Sequence, residues 1–365
     1  MDFTFGEAEV AASGLAAQVL GAAAKTSSAA DAGQAADLDS SLWKELGQSG
    51  LLSLALPAEL GGDGLGVQAT AAVLTEVGRY AARIPALATL ALGVLPVVRS
   101  ADADLKRKLL AGVTAGETIL TAAIREPSHP MPSAPATIAT IGGKTGTVSG
   151  VKVGVPYAAA ASWILVPAST DTGDAMVAIV EPDADGVSCQ RTRSSSGLPE
   201  YTLRLADSPI FQVLDGCSVG DLYALAAAGT CAVGDGVLAA ALDLTTEYIR
   251  RRAQFGRPLA TFQAVAQQIA DVYAAARTLH LASLSACWRL DTGRAAGHDV
   301  DVAAYWLAEH GPAALRTCHH LHGGLGMDVT YPLPRYSALM TDLVAFVGGA
   351  ADRLDRLGSR EAAGA

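Results

Sequence analysis

The sequence of 365 residues is poor in charge: Asp, Glu, Lys and Arg supply 17% of it, and aromatic residues only 5%. Half of the residues are hydrophobic, so intrinsic disorder is excluded, because too few charges are present to keep such a chain solvated and open. Basic residues are the scarcer charge. The 26 Lys and Arg against 36 Asp and Glu leave a formal net charge of −10, which argues against a nucleic-acid backbone as partner. The five cysteines (Cys189, Cys217, Cys231, Cys287 and Cys318) form no C-x-x-C pair and are odd in number. They read as buried, reduced thiols of a cytoplasmic protein, and a disulfide scaffold is excluded. Long apolar runs are missing too. The stretch from Ile84 to Val98 falls short of the ~18–20 residues a membrane span needs and is broken by Pro85, Gly93 and Pro96. The first residues, Met1 to Glu7, carry acids where an export signal needs bases, so no export is expected.

What is present divides by texture into three parts: 1–123, 124–215 and 216–365. The length suits two or three cooperating units. The first part is rich in Ala and Leu at helical spacing. Leu42, Leu46 and Ser49 followed by Gly50 predict a helix closing on a glycine. Val73, Leu74, Val77 and Tyr80 mark another amphipathic helix, and Lys106, Arg107 and Lys108 a solvated helix face. The second part alternates and is β-branched. Runs 137–141 and 145–153 flank a Gly142-Gly143-Lys144 turn and predict a hairpin. Runs 163–166 and 176–180 predict two further strands, and the module reads as antiparallel. In the third part four helices are expected: Leu222 to Arg251, Phe262 to Leu290, Asp301 to His319 and Leu339 to Leu357, forming an antiparallel bundle. Helices, then strands, then helices is not the alternation of a Rossmann fold.

Three segments could carry chemistry. Arg250 to Leu259 puts a basic helix end against a Gly-Pro turn. An arginine fork there can clamp a diphosphate with Gln254 adding a neutral hydrogen bond, or the cations can simply complement the helix dipole. His319-His320-Leu321-His322-Gly323-Gly324 holds three histidines in four residues. Neighbours in sequence on a helix point in different directions and no carboxylate lies at i+3 or i+4, so no metal is expected; the glycine pair permits close backbone approach to a ligand or caps the helix. Gly64-Leu65-Gly66-Val67-Gln68-Ala69 matches G-x-G-x-x-A but follows no apolar strand, so it reads as a surface turn.

Taken together these segments resemble the acyl-CoA dehydrogenase family. Pro57-Ala58-Glu59-Leu60-Gly61-Gly62 looks like its P-x-E-x-G-G turn, and Ile124-Arg125-Glu126-Pro127 like its T-E-P segment. Arg252-Ala253-Gln254-Phe255-Gly256 with Pro258 and Gln263 is similar to its R-x-Q-F-G-x-P signature, and His320 to Gly324 stands where Q-x-x-G-G belongs. The resemblance covers essentially the whole chain. It implies an α+β multidomain fold with an N-terminal helical domain, a middle antiparallel β-barrel and a C-terminal four-helix bundle. It also implies FAD, pairing of subunits, and removal of hydrogen from an acyl-CoA thioester. Arg252, Gln254 and Phe255 would then reach the diphosphate half of an FAD held mostly by a neighbouring subunit, with His320, Gly323 and Gly324 near its adenine end.

The sequence departs from the family at the catalytic base. One customary place for the Glu is an E-G-T-like stretch after the Gly-Gly pair, and here it reads Asp342 to Gly349 with no carboxylate past Asp342. The other place falls near Leu225 and Ala226, with Asp221 and Asp235 the closest acids. Arg125 replaces the Thr that faces the flavin, Ser128-His129-Pro130-Met131-Pro132 replaces a G-S-D segment, and His320 replaces Gln. The expectation is a subunit without a base of its own, resembling the non-catalytic chain of actinobacterial α2β2 heterotetramers that act on steroid side-chain CoA thioesters. Its partners would be a catalytic subunit, an acyl-CoA and an acceptor like electron-transfer flavoprotein. The alternatives are a self-sufficient homotetramer using Asp342 or Asp221, and a flavin-free scaffold.

Overall fold

The computed structural model describes residues 5–26, 38–143 and 145–364. Lys144 of the expected hairpin turn and the first four residues lie outside the described residues. Helices come first: α1 (Glu7–Thr26), α2 (Ser40–Gln48) and α3 (Val67–Arg79), then a π-helical stretch Leu87–Val94 running into α4 (Leu95–Ser100), and α5 (Ala103–Leu110). Helix α2 starts where the Asp39 carboxylate accepts the Leu42 N–H at 3.0 Å, and it ends at Ser49 with Gly50 at φ 81°, as expected. The Ile84–Val98 stretch is buried inside this domain.

Strands β1 (Leu120–Ala122), β2 (Ile138–Gly142), β3 (Thr145–Pro156), β4 (Trp163–Thr170), β5 (Ala175–Val180), β6 (Val187–Thr192), β7 (Glu200–Ile210) and β8 (Gln212–Val213) form one sheet ordered β6-β7-β3-β2-β4-β5-β8, with β1 beside β4. The β2–β3 hairpin pairs Ile138 with Ser149 and Gly142 with Thr145. The sheet is mixed rather than purely antiparallel, since β4 runs parallel to both β1 and β2. Alternation within a run reports which face is buried, not which way its neighbour runs, so direction was not legible.

The C-terminal bundle consists of α6 (Val219–Arg251), α7 (Gln263–Asp291), α8 (Gly297–His322) and α9 (Leu333–Phe346), followed by α10 (Gly349–Gly364) packed on α8. The single last helix expected from Leu339 to Leu357 is in fact two. Gly348 and Gly349 sit at φ 90° and 80°, a conformation that ends a right-handed helix, and a side chain on Gly348 would collide with the Pro130 ring. Helix α6 is long and apolar enough to cross a membrane, a length the Ile84–Val98 comparison overlooked, but 89% of its apolar window is buried inside the protein. It is a core helix. All five cysteines are free; burial raises their thiol pKa values and keeps them as thiols.

One buried ion pair anchors the start of the sheet to the segment after the helices. Lys152 is fully buried on β3 and its Nζ lies 2.7 Å from the Glu126 carboxylate, which also accepts the Ala136 and Thr137 N–H groups and the Thr137 hydroxyl. Burial pushes the Lys152 ammonium down to about 8, which still leaves it charged at neutral pH. Burial also pulls the Glu126 carboxyl up, but its hydrogen bonds outweigh that and hold it below its ordinary value. Removing Lys152 (Lys152→Met) strands the carboxylate and is expected to cost ~3–5 kcal/mol, while the double variant with Glu126→Gln recovers much of it. Denaturant unfolding checks both. Because the Glu126 pKa is lowered in the fold, its contribution is complete above about pH 4.5 and fades as pH falls further.

Candidate cofactor-donating and cavity sites

The end of α6 presents a small exposed hairpin. Arg252 leaves the helix with its N–H on the Tyr248 carbonyl, and its own carbonyl accepts Leu259 N–H at 2.8 Å. Strands β9 (Ala253–Gln254) and β10 (Arg257–Pro258) then pair around Phe255 and Gly256. Both turn residues have positive φ, 55° and 81°, the signature of a type I′ turn whose twist matches its strands. Glycine accepts that conformation freely; Phe255 does so under strain. Its ring is nevertheless 91% exposed, touching Phe262 only edge-on. Arg257 stacks on Phe262 and Arg251 pairs with Glu247, whereas Arg252 and Gln254 are exposed.

One of the three clustered histidines, given no individual role from the sequence, fixes this end of α6 to the glycine pair. His322 is buried, and its Nδ1 donates to the Cys318 carbonyl at 2.8 Å, so Nε2 accepts the Tyr331 hydroxyl at 3.1 Å. Its ring stacks on Tyr248, one turn before Arg252, with centroids 4.5 Å apart, and the Tyr248 hydroxyl donates to the His322 carbonyl. Gly323 follows as the cap of α8 at φ 61°, and both Gly323 and Gly324 are exposed with nothing close to where a side chain would start. An open groove of about 440 Å³ results, bordered by Glu247, Tyr248, Arg252, Leu325 and Tyr331. The structure therefore brings Arg252 to the glycine turn, while Gln254 and Phe255 project from the hairpin and His320 faces solvent on the last turn of α8. His319 bonds Ser337 instead, and no metal-holding cluster exists among the described residues.

A second site lies where all three regions meet. It is an apolar cavity of about 90 Å³ between Val77, Leu87, Tyr157 and Leu343, with Arg125, Glu200 and Asp342 at one side. Asp342 does reach this cavity, but both its oxygens are engaged, by the Ser195 and Ser196 N–H groups at 2.8 Å and the Ser196 hydroxyl at 2.5 Å. Arg83 holds the Ser196 and Gly197 carbonyls of the same loop from the N-terminal helices. Asp221 is elsewhere, closing a capping box with Ser218 at the exposed start of α6. Asp235 bonds His280 at 2.8 Å. Glu200 was not singled out from the sequence, since nothing around it forms a motif; burial raises its pKa against the pull of Arg125. Burial likewise lowers Arg125, which lies beside Glu200 over Gly154.

The stretch replacing G-S-D is folded inward. Ser128 and Met131 hold φ 70° and 85°, and Met131 is fully buried beneath Arg353 and Arg356 of α10. Past Asp342 the stretch to Gly349 holds no carboxylate, and its Val347 is fully buried. At the alternative place Leu225 and Ala226 are buried and apolar. The G-x-G-x-x-A match opens α3, but the Asp291 carboxylate occupies that helix start and accepts the Val67 N–H, so the chain's own acid takes the place an anion would need.

Comparison with known proteins agrees with this architecture. Residues 15–117 match the acyl-CoA dehydrogenase N-terminal domain and residues 224–352 the acyl-CoA dehydrogenase C-terminal domain. The chain belongs to the acyl-CoA dehydrogenase family, and its cofactor is FAD. Acyl-CoA dehydrogenase FadE28 of Mycobacterium tuberculosis is 46% identical over 87% of this chain and 91% of its own length. Among solved structures, the ChsE4–ChsE5 complex from Mycobacterium tuberculosis superposes with a TM-score of 0.91 at 31% identity over 99% of both chains. A variant of the Tcur3481–Tcur3483 steroid ACAD gives 0.90 at 34% identity, again over 99% of both. Arg252 borders the groove at the end of α6 together with Leu325, which follows the glycine pair, and an exposed guanidinium beside glycines with no side chain in the way is of a kind that fits the diphosphate of FAD. The inner cavity fits it poorly, being below the ~300 Å³ at which ligand pockets begin.

Burial holds the His322 pKa below its ordinary 6.5, with the nearby His319 also opposing charge and the Cys318 carbonyl favouring it. Its contribution to stability is thus complete above about pH 6.5 and declines as pH falls, since the unfolded chain takes up the proton first. Thermal melting between about pH 7.5 and about pH 5.5 should show this decline in the native chain and a flatter profile in His322→Phe.

Proposed function

We propose that this chain is the non-catalytic subunit of a heteromeric acyl-CoA dehydrogenase and lends Arg252, Gln254 and Phe255 to an FAD held by a catalytic partner. The observation that carries this reading is the asymmetry between the two sites. The hairpin is exposed and held in a strained turn, whereas the stretch from Asp342 to Gly349 offers no carboxylate but Asp342, which is tied to a loop. Bound FAD supplies the hydride acceptor for α,β-dehydrogenation of an acyl thioester. The chain's own contribution is positioning. Arg252 can grip a diphosphate with two parallel N–H donors, Gln254 adds a neutral bond, and the exposed Phe255 ring is available to cover the clamp from water. His320, Gly323 and Gly324 would approach the adenine end, the glycines because they place no side chain in the way.

The finer parts of this reading follow from likeness. Two of the related structures are described as a complex and as a steroid ACAD, which supports an α2β2 assembly and a steroid side-chain CoA thioester as substrate. An acceptor like electron-transfer flavoprotein and a cytoplasmic setting belong to the same proposal, the latter supported by the five free thiols. A self-sufficient homotetramer has one observation in its favour, the presence of Asp342 and Glu200 on the cavity wall.

Purified alone, the chain is expected to show no acyl-CoA dehydrogenation. Co-expressed with its catalytic partner it should carry one FAD per heterodimer, read from flavin absorbance against native mass. Arg252→Ala in that complex removes a charge-assisted bidentate contact and should weaken FAD retention about tenfold or more. Asp342→Asn and Glu200→Gln should leave kcat of the complex within about threefold, because neither transfers a proton in this reading. Turnover by the lone chain that either substitution abolishes would establish the homotetramer instead.

A further inference from the structure

We infer that α1 is a proton-sensitive cover: it lies closed over a buried pair of carboxylates, Glu76 of α3 and Asp235 of α6, and loosens as that pair becomes fully ionised. The α3–α6 crossing forces the two acids into one seam. They flank the point at which a side chain on Gly236 would stand 1.8 Å from the Thr75 carbonyl oxygen, so the backbones touch there. Glu76 is 9% exposed and Asp235 6%. Helix α1 lies over Glu76: the Ser13 hydroxyl donates to Glu76 Oε1 at 3.1 Å, and Ala12, Ala16, Val19 and Leu20 bury the inner face of that helix. Val77, next to Glu76, and Val233, two residues before Asp235, line the inner cavity, so the covered seam and that cavity share one pair of helices.

The seam holds more acid than base. Glu76 Oε2 is buried with no hydrogen-bond partner, and Arg79 Nε comes no closer to it than 3.9 Å. Arg79 spends Nη1 on Asp243 of α6 at 2.7 Å, and the Tyr336 hydroxyl of α9 donates to its carbonyl. Asp235 meets Nδ1 of His280 on α7 at 2.8 Å. A void of about 40 Å³ adjoins Ser13, Asp235 and His280, and Cys287 of α7 borders it as a neutral thiol, pushed up to about 12 by burial. None of the charges that act on Glu76 belongs to α1, which offers it a hydroxyl alone. An ionised carboxylate in such a place is short of hydration and is repelled by its neighbour. Burial accordingly raises the Glu76 pKa and Asp235 adds to the rise, while the Ser13 bond and Arg79 oppose it without cancelling it. When α1 lifts, Glu76 meets water and returns to its ordinary 4.5. The closed state therefore holds the proton more tightly than the open one. Closure is firmest at and below that ordinary value and weakens as pH rises through the raised one.

Hydrogen exchange of the full chain, read on α1 peptides and corrected for the intrinsic pH dependence of exchange, tests the cover. Protection of α1 is expected to fall at least about threefold between about pH 5 and about pH 8, while α5, which takes no part in the seam, keeps its own. Glu76→Gln leaves Ser13 an acceptor but cannot ionise, so its α1 should give a flat profile. Ser13→Ala withdraws a bond that favours the ionised carboxylate, so the midpoint of the fall should move to higher pH. His280→Gln should retain the fall. Native α1 protection that stays level or rises with pH overturns the proposal, as does a fall in Glu76→Gln equal to the native one. A flat profile in His280→Gln also overturns it, because the sensing group would then be the histidine. Should Glu76→Gln not fold, the Ser13→Ala midpoint decides: a shift to higher pH supports the cover, and a midpoint that stays or moves lower overturns it.

Discussion

Helix α6 runs through the protein as a 33-residue axis, and the closeness with which other helices approach it is the constraint on which the remaining structure depends. At its crossing with α3, a side chain on Gly78 would lie 1.9 Å from the Val233 carbonyl oxygen, and one on Gly236 would lie 1.8 Å from that of Thr75. Two backbones that near each other leave room for nothing larger than hydrogen. Close packing of small residues supplies dispersion contacts along the whole crossing, and it fixes how the N-terminal helices sit against the bundle. The cavity where the three regions meet inherits its shape from that crossing, since Val77 and Val233 on its wall belong to the same two helices.

Arginines gather at both ends of the same helix. At one end, Arg252 is set in place by a backbone bond to Tyr248, whose ring stacks on His322, so the hairpin and the glycine turn are joined by one aromatic contact. At the other end, the arginines of α10 converge on the first turns of α6 and α8. Between them lies the inner cavity, beside several tethered segments. An arginine lines it, a loop is strapped from both sides by Arg83 and Asp342, and the segment at Met131 is pinned by Arg353 and Arg356.

Much of this was legible in the residue order because the signals are local. The stop at Gly50 and the hairpin around Gly142 and Gly143 each depend on a few neighbouring residues. The R-x-Q-F-G block marked the exposed turn at the end of α6 for the same reason. What stayed hidden depends on distant partners. Glu200 lies on a strand with nothing around it to mark it, and only burial beside Arg125 makes it notable. The break at Gly348 and Gly349 could have been read from the glycine pair, but the helical periodicity on both sides outweighed it.

The order of residues by itself determined the helix, strand, helix succession, the family signature and the absence of a carboxylate at the family's two customary places. Those are properties of spacing and residue type, which survive without coordinates. Only the tertiary structure decided that Asp342 is spent on a loop, that His322 rather than His320 is the histidine joining α6 to the glycine turn, that β4 runs parallel to two of its neighbours, and that three arginines of α10 share a wall. Each of these depends on which groups are brought within hydrogen-bonding distance across the fold, and chain separation carries no record of that.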